Sequence, residues 1–345
     1  MTRTLVITND FPPRRGGIEN FVFALCARMP SSDVVVYTAR MDGSAEVDEA
    51  VDFPVVRDRS RILLPTRRVA RAVRAVANSY GCDRVLFGAA APLGLLARGL
   101  RRGGTISQIT AITHGHEVWW ARVPLARQLL RRIGDDVDTL TYVSEFCRRQ
   151  ISPALSRAGR GRMERLSPWV DTSRFDPGVD GSAWRGRLGL AADAPVVLSA
   201  SRLVRRKGQD MLIKAWPDVV SQFPAARLVV VGDGPARRRL RRLARARDVR
   251  DTVVFVSGVD WNDMPAVYAM ADVFALPCRT RLWGLEPEAF GIVFIEAAAS
   301  GLPLLVGDSG GAPEAAPDAV RVVVDGRDVN AVAAGLRRLL AGEAS

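Results

Sequence analysis

The sequence predicts an α/β fold built from two successive doubly wound domains, residues 1–168 and 169–345, with a cleft between them. Three observations carry this expectation. Short apolar, β-branched runs alternate with longer amphipathic segments from end to end; the alternation breaks once; it then restarts in the same form. Strands that are apolar throughout, each followed by a helix, belong to a parallel sheet covered on both faces. A chain of 345 residues is also long for one α/β core and ordinary for two domains.

In the first half the strand candidates are TLVIT (4–8), DVVVYT (33–38), DRVLFG (83–88), ITAIT (109–113) and TLTYVS (139–144). Amphipathic stretches such as IENFVFALCARM (18–29) and PLARQLLRRI (124–133) read as helices. The segment LSPWVDTSRFDPGVDGSAW (166–184) is rich in Pro, Gly, Ser and Asp and reads as a linker. After it come VVLSAS (196–201), RLVVVGDG (227–234), TVVFVSG (252–258), DVFALPC (272–278), LPLLVGD (302–308) and VRVVVDG (321–326). Ligands of such sheets bind beyond the carboxyl ends of the strands, so the loops that follow are where chemistry is expected.

Composition sets the outer limits. With 48% hydrophobic and 25% charged residues the chain is a folded globular protein, not a disordered one. Net charge is +12, and of 49 basic residues only Lys207 and Lys214 are lysine. Arginine count therefore discriminates little, and each retained lysine carries more weight. Cys26, Cys82, Cys147 and Cys278 are widely spaced, without a zinc or redox pattern, which fits a reduced, cytoplasmic setting. The N-terminus enters a strand directly, and no run of 18 apolar residues occurs. Any membrane contact is expected to be peripheral.

Five strand-end loops hold the residue types that chemistry would use. In NDFPPRRGG (9–17), Gly16 and Gly17 lead into a helix start whose free amides suit a phosphate, although no dinucleotide fingerprint or Walker lysine is present. THGHE (113–117) holds the only histidines, His114 and His116, and no further metal ligands stand nearby in sequence, which favours hydrogen bonding to a hydroxylated substrate. SRLVRRKG (201–208) offers the planar fork of Arg202 and the compact ammonium of Lys207 to a diphosphate. In EAFGIVFIE (288–296) two carboxylates stand eight positions apart. A helix throughout would separate them by about 12 Å, too far for the roughly 5–9.5 Å of a glycosidase pair. That reach suits opposite ends of a sugar nucleotide, with the intervening amides near the diphosphate. SGGAPE (309–314) is another glycine turn.

Taken together, these motifs resemble glycosyltransferase family 4, the retaining enzymes of the GT-B fold, whose two domains are Rossmann-like. FPPRRGG, THGHE, SRLVRRKGQD, VVGDGP, FVSGV, DVFALPCRTR, the E-x7-E segment and SGGAPE appear in the family's order along essentially the whole chain. TNDFPPRRGG, FGAAAPL, THGHEV and LPCRTR bring the resemblance nearest to GDP-mannose-dependent phosphatidylinositol monomannoside mannosyltransferases. The resemblance implies a nucleotide-sugar donor, a glycolipid acceptor and no divalent metal in the site. It also implies roles for particular residues: Gly16 and Gly17 at the donor diphosphate; His114, rather than His116, on the transferred sugar; Arg202 and Lys207 against the leaving nucleoside diphosphate; Glu288 on the sugar hydroxyls; Phe290, Gly291 and Ile292 near the diphosphate; Glu296 on the ribose. Two departures from the pattern stand out. The family's final helix, which crosses back onto the first domain, would follow LRRLLAGEAS, and Trp119 and Trp120 follow THGHE where the first is usually smaller.

Arg67, Arg71 and Arg74 recur at helical spacing with Arg68 beside them, opposite Val69, Val73 and Val76. With Ile62, Leu63 and Leu64 just before them, they suit a peripheral, anionic membrane surface at the cytoplasmic face. A solvated arginine face on a packed helix reads equally well, and Arg237–Arg242 reads as such a face. Two other functions fit less of the sequence. A sugar-nucleotide epimerase would share the fold and need no acceptor, and another family 4 donor or acceptor would share most of the motifs. Basic charge alone suggests nucleic acid, but no binding module is recognisable and aromatics make up 7%, so no nucleic-acid partner is expected.

Overall fold

The computed structural model describes residues 2–14 and 16–343. The chain forms two compact units, Met1–Pro168 and Trp169–Ser345.

The first unit holds a seven-stranded sheet of β1 (Thr4–Thr8), β2 (Val34–Ala39), β3 (Val55–Asp58), β4 (Arg84–Phe87), β5 (Gln108–Ile112), β6 (Thr139–Tyr142) and β7 (Met163–Arg165). The order is β3-β2-β1-β4-β5-β6-β7, parallel at every pairing. The second unit repeats the plan with β8 (Val196–Ala200), β9 (Arg227–Val231), β10 (Val253–Val256), β11 (Val273–Leu276), β12 (Leu304–Gly307) and β13 (Arg321–Val324), ordered β10-β9-β8-β11-β12-β13. Winding reverses between β1 and β4, and again between β8 and β11. These reversals open a crevice at the carboxyl ends of each sheet. Strands β2, β8, β11 and β12 are buried end to end, and in the second unit Trp216, fully buried, anchors the core through an indole N–H donated to Thr252 Oγ1 at 3.0 Å.

Two strands went unread in the sequence: β3, half of it charged (VVRD), and β7, three residues long. The linker is shorter than its composition suggests. Asp171, Asp176 and Asp180 each accept a backbone N–H two residues on, and the helix Ser182–Arg187 then begins, burying Trp184.

The helix Arg67–Ser79 forms as expected, with Thr66 as its N-cap, but it buries Val69, Val73 and Ala77 rather than Val76. Arg68 does not face outward with the other arginines: its guanidinium forks onto both Asp58 oxygens at 2.8 Å. That fork holds Asp58 well below the usual carboxylate range, and Tyr37 donates to the same carboxylate. Arg67, Arg71 and Arg74 remain exposed. Just upstream, Asn9 exchanges two hydrogen bonds with the Leu63 backbone (3.0 and 2.7 Å). The latch buries Leu63 and turns Ile62 (62% exposed) and Leu64 (53%) to solvent.

All four cysteines are free and buried, and burial pushes the thiols of Cys26 and Cys278 up to about 12. Among the described residues no helix is long and apolar enough to cross a membrane, and no group of three or more His, Cys, Asp or Glu could hold a metal ion.

Candidate active site

In the second unit the loops after β8, β11 and β12 converge. The chain leaves β8 through Ser201–Val204, makes one 3-10 turn, Arg205–Lys207, and enters the helix Gln209–Gln222. That turn buries Lys207, whose Nζ lies 2.8 Å from Glu288 Oε2. Arg206 approaches the same oxygen at 3.7 Å and Glu286 at 3.6 Å. Burial alone would raise the Glu288 carboxyl; the Lys207 and Arg206 charges outweigh it and hold the group below its ordinary range.

The backbone around Glu288 is fixed from β12. Ser309 Oγ accepts the Glu288 N–H at 3.2 Å, and Gly311 N–H donates to the Glu288 carbonyl at 2.9 Å. Gly310, at φ +62°, sits so close that a Cβ would come within 2.1 Å of that carbonyl oxygen. Arg279 braces the loops from the other side, with its N–H on the Arg206 carbonyl and its guanidinium on both Asp210 oxygens.

The E-x7-E segment is not helical throughout. The helix Ile292–Ala299 starts only after Gly291, its N-cap, so Glu288 lies on an extended loop and Glu296 on the helix. Glycine in a left-handed conformation at 291 ends the loop, and the 12 Å helical separation does not apply. Phe290 is buried beside the turn and Ile292 is the first helical residue. Glu296 accepts from Tyr268 Oη at 2.7 Å, and Tyr268 stacks edge-on against Phe175. Burial raises the Glu296 carboxyl, partly offset by the Tyr268 hydrogen bond and the Arg174 charge.

Arg202 stands apart from this cluster. It is exposed and makes no side-chain hydrogen bond or ion pair among the described residues, whereas Lys207 is committed to Glu288. Arg206 and Ser309 lie in motifs the sequence shows but have no role legible there, and Tyr268 lies outside them all. Arg206 was hidden within a run of like residues. Tyr268 and Ser309 lie far from Glu296 and Glu288 in sequence.

In the first unit, THGHE leaves β5. His114 Nε2 lies 2.6 Å from the Gly88 carbonyl, and its ring meets Phe21 of the helix Gly17–Ala27 edge-on. Burial lowers the His114 pKa, so the ring is neutral near pH 7; with Nε2 donating to Gly88, Nδ1 is an acceptor. Glu117, fully buried, receives the backbone N–H groups of His114 and Gly115 through Oε2 (3.1 and 3.2 Å), and His116 Nε2 lies 3.1 Å from its Oε1. Glu117, the last residue of the THGHE motif, is the clamp of this loop and gives His116 a structural partner. Gly16 is the exposed N-cap of the helix Gly17–Ala27, whose first turn thus lies one to two turns from the His114 contact. The structure brings Lys207 and Glu288 into contact and groups the helix of Gly17 with His114.

Residues 15–174 match the family described as Glycosyltransferase Family 4, and residues 180–345 the family described as Glycosyl transferases group 1. The chain is 45% identical over 343 residues, covering 98% of itself and 89% of the relative, to a GDP-mannose-dependent alpha-(1-6)-phosphatidylinositol monomannoside mannosyltransferase of Mycolicibacterium smegmatis. This chain belongs to glycosyltransferase family 4. A Corynebacterium glutamicum relative, named as the corresponding monoacylated-acceptor mannosyltransferase, is 42% identical over 98% of the chain and 88% of that protein. Among solved structures, sucrose-phosphate synthase from Thermosynechococcus elongatus superposes at TM-score 0.80 with 23% identity, covering 99% of this chain and 90% of that one. Anabaena HepE, solved with UDP and glucose, superposes at 0.74 with 18% identity, covering 99% and 95%. At those identities the likeness is one of fold, and the family 4 enzyme shares the GT-B architecture of two Rossmann-like sheets.

Proposed function

We propose that this family 4 enzyme transfers mannose, with retention, from GDP-mannose to a phosphatidylinositol mannoside-type glycolipid at a membrane face. The observation that carries the proposal is nearly full-length identity of 42–45% to relatives bearing that activity in their names. The buried Lys207–Glu288 pair, at the winding reversal where such sheets bind ligands, supports it.

In this reading the acceptor hydroxyl oxygen bonds to the anomeric carbon on the face the diphosphate leaves. The bond from that carbon to the β-phosphate oxygen breaks, GDP departs with the electron pair, and a phosphate oxygen takes the hydroxyl proton. Exposed Arg202 forks onto the diphosphate as Lys207 and Arg206 supply positive charge from the loop beneath, which stabilises the leaving group without a bound divalent metal. Glu288, kept ionised, accepts from sugar hydroxyls and Glu296 from the ribose. His114 offers Nδ1 to the transferred sugar, and Gly16, Gly17 and the turn Phe290–Ile292 place backbone near the diphosphate. Exposed Ile62 and Leu64, with Arg67, Arg71 and Arg74, form the peripheral contact with anionic lipid.

The test is purified enzyme with GDP-mannose, with and without phosphatidylinositol mannoside in detergent. GDP release that requires the acceptor, together with a mannosylated lipid, is expected. Conversion of the donor alone would instead indicate an epimerase, and no turnover with any nucleotide sugar would remove the proposal.

A further inference from the structure

Beyond the carboxyl ends of β1, β2 and β3 lies a pocket of about 240 Å³ that none of the roles above uses. Its lining includes Arg14, Arg40, Arg57 and Arg61 against one carboxylate, Asp42. Such a volume lies below the roughly 300–1,000 Å³ of sites for drug-sized ligands. It suits one headgroup fragment and is too small for a nucleotide sugar.

The four arginines are not equivalent. Arg57 is structural: its guanidinium donates to the Pro12 and Ala39 carbonyls and to Asp48 at 2.7 Å, tying the loop after β1 to the end of β2. Arg61 pairs with Asp42 at 3.3 Å with both side chains 80% exposed, a contact that solvent screens and an anion can replace. Arg14 is held loosely: its guanidinium donates to the Asn9 carbonyl at 3.4 Å and approaches Asp10 and Glu19 at 3.7 and 3.8 Å. Arg40 is exposed and has no side-chain partner among the described residues. The mouth therefore presents the guanidinium donors of Arg14, Arg40 and Arg61, while Asn9, the one lining amide, is occupied by the Leu63 backbone. A polyol site mixes donors with acceptors; this one is tuned to an anion whose oxygens accept from planar forks.

Its rim is apolar. Met41 lines the pocket and is 40% exposed, and Ile62 follows Arg61 directly in the chain. Cationic lining beside aliphatic side chains is the complement of a lipid-borne phosphate, which carries its negative charge at the headgroup and hydrocarbon just above it. The geometry points to this pocket as the seat of the acceptor's phosphodiester, with Arg40 and Arg14 as its principal donors and Arg61 released from Asp42 to join them. The inference rests on the proposed acceptor class and adds where its charged group is held.

The test uses two water-soluble acceptors, mannosylated glycerophosphoinositol, which keeps the phosphodiester without acyl chains, and mannosylated inositol, which lacks phosphate. Arg40→Glu is expected to raise KM for the first at least ten-fold more than for the second. Arg84→Ala, at the opposite end of the sheet, controls for lost positive charge and leaves the ratio of the two KM values as in the wild type. An equal effect on both acceptors, or none on the first, overturns the assignment. So does an effect seen only with acylated acceptor in vesicles, which would mark general membrane docking, or inorganic phosphate competing as well as glycerophosphoinositol, which would mark a free-phosphate site. Should wild-type enzyme use neither soluble acceptor while it turns over the glycolipid, the acyl chains are needed for turnover; should it not use the glycolipid either, the proposed function fails separately. Calorimetric titration with glycerophosphoinositol then decides the pocket, since binding by wild type that is lost in Arg40→Glu upholds it and equal binding overturns it.

Discussion

The Lys207 ammonium and the Glu288 carboxylate face each other at 2.8 Å, both buried, on loops that follow different strands of one sheet. Each is the other's nearest counter-charge, with Arg206 a more distant second cation for Glu288, so a variant lacking one leaves a poorly compensated charge inside the protein. Such a loss costs about 3–5 kcal/mol, whereas replacing both members with apolar groups costs far less. Lys207→Met and Glu288→Leu should each lower the melting temperature by several degrees, and the double variant should recover most of the loss. All three should lack transferase activity. Scanning fluorimetry beside the transfer assay measures both, and a double variant no more stable than the worse single one would show that the two charges are not coupled.

Glu296 gives a pH dependence of defined sign. Its pKa in the folded protein lies above the ordinary value of 4.5. The folded state therefore holds the proton more tightly than the unfolded chain, and this contribution to stability is fully present below that value and lost as pH rises through the folded pKa. Glu296→Gln removes the ionisation. Relative to wild type, its melting temperature should be similar near pH 4 and higher near pH 7. A difference that stays constant with pH would sink the assignment. The same variant should bind GDP about 10–100-fold more weakly, by loss of a charge-assisted hydrogen bond to the ribose.

Gly310 and Gly342 separate strain from contact. Both have positive φ, +62° and +72°, but a Cβ at Gly342 meets nothing within 4 Å, while one at Gly310 strikes the Glu288 carbonyl. Alanine should cost each about 1–2 kcal/mol in backbone strain. Only Gly310→Ala should also displace Glu288 and cut kcat by ten-fold or more. Equal activity in the two variants would mean that the turn after β12 does not position the carboxylate.

How much of this was legible beforehand follows from where the information lies. Buried strands such as TLVIT and VVLSAS announce themselves, because their residues are apolar or small hydroxyls without a charge among them; β3 did not, because Arg57 and Asp58 serve other elements. The carboxylates of E-x7-E were found by their spacing, but the helix linking them was not real, since Gly291 breaks it. Arg68 read as one more basic residue beside Arg67, and only the fold reveals its fork onto Asp58. Partnerships between distant loops, Tyr268 with Glu296 or Ser309 with Glu288, have no local signature at all.

The exposed pair Ile62 and Leu64 yields a separable expectation. Burying such side chains in lipid is worth about 1.5–3 kcal/mol each. Ile62→Ser/Leu64→Ser should reduce sedimentation with anionic phospholipid vesicles at least ten-fold while turnover of a soluble acceptor persists. Undiminished vesicle binding would move the membrane contact elsewhere.

The four cysteines, all inside the two units, make the native chain a convenient chemical blank. Alkylating dyes attack thiolates; Cys26 and Cys278, whose thiols burial pushes up to about 12, supply almost none, and Cys82 and Cys147 are shielded by burial. A single cysteine placed on the surface, at Ile62 or beside Arg40, would take a fluorophore selectively with the native four left in place. Probes of lipid contact or of ligand arrival can thus be installed without stripping the protein of its own sulfur.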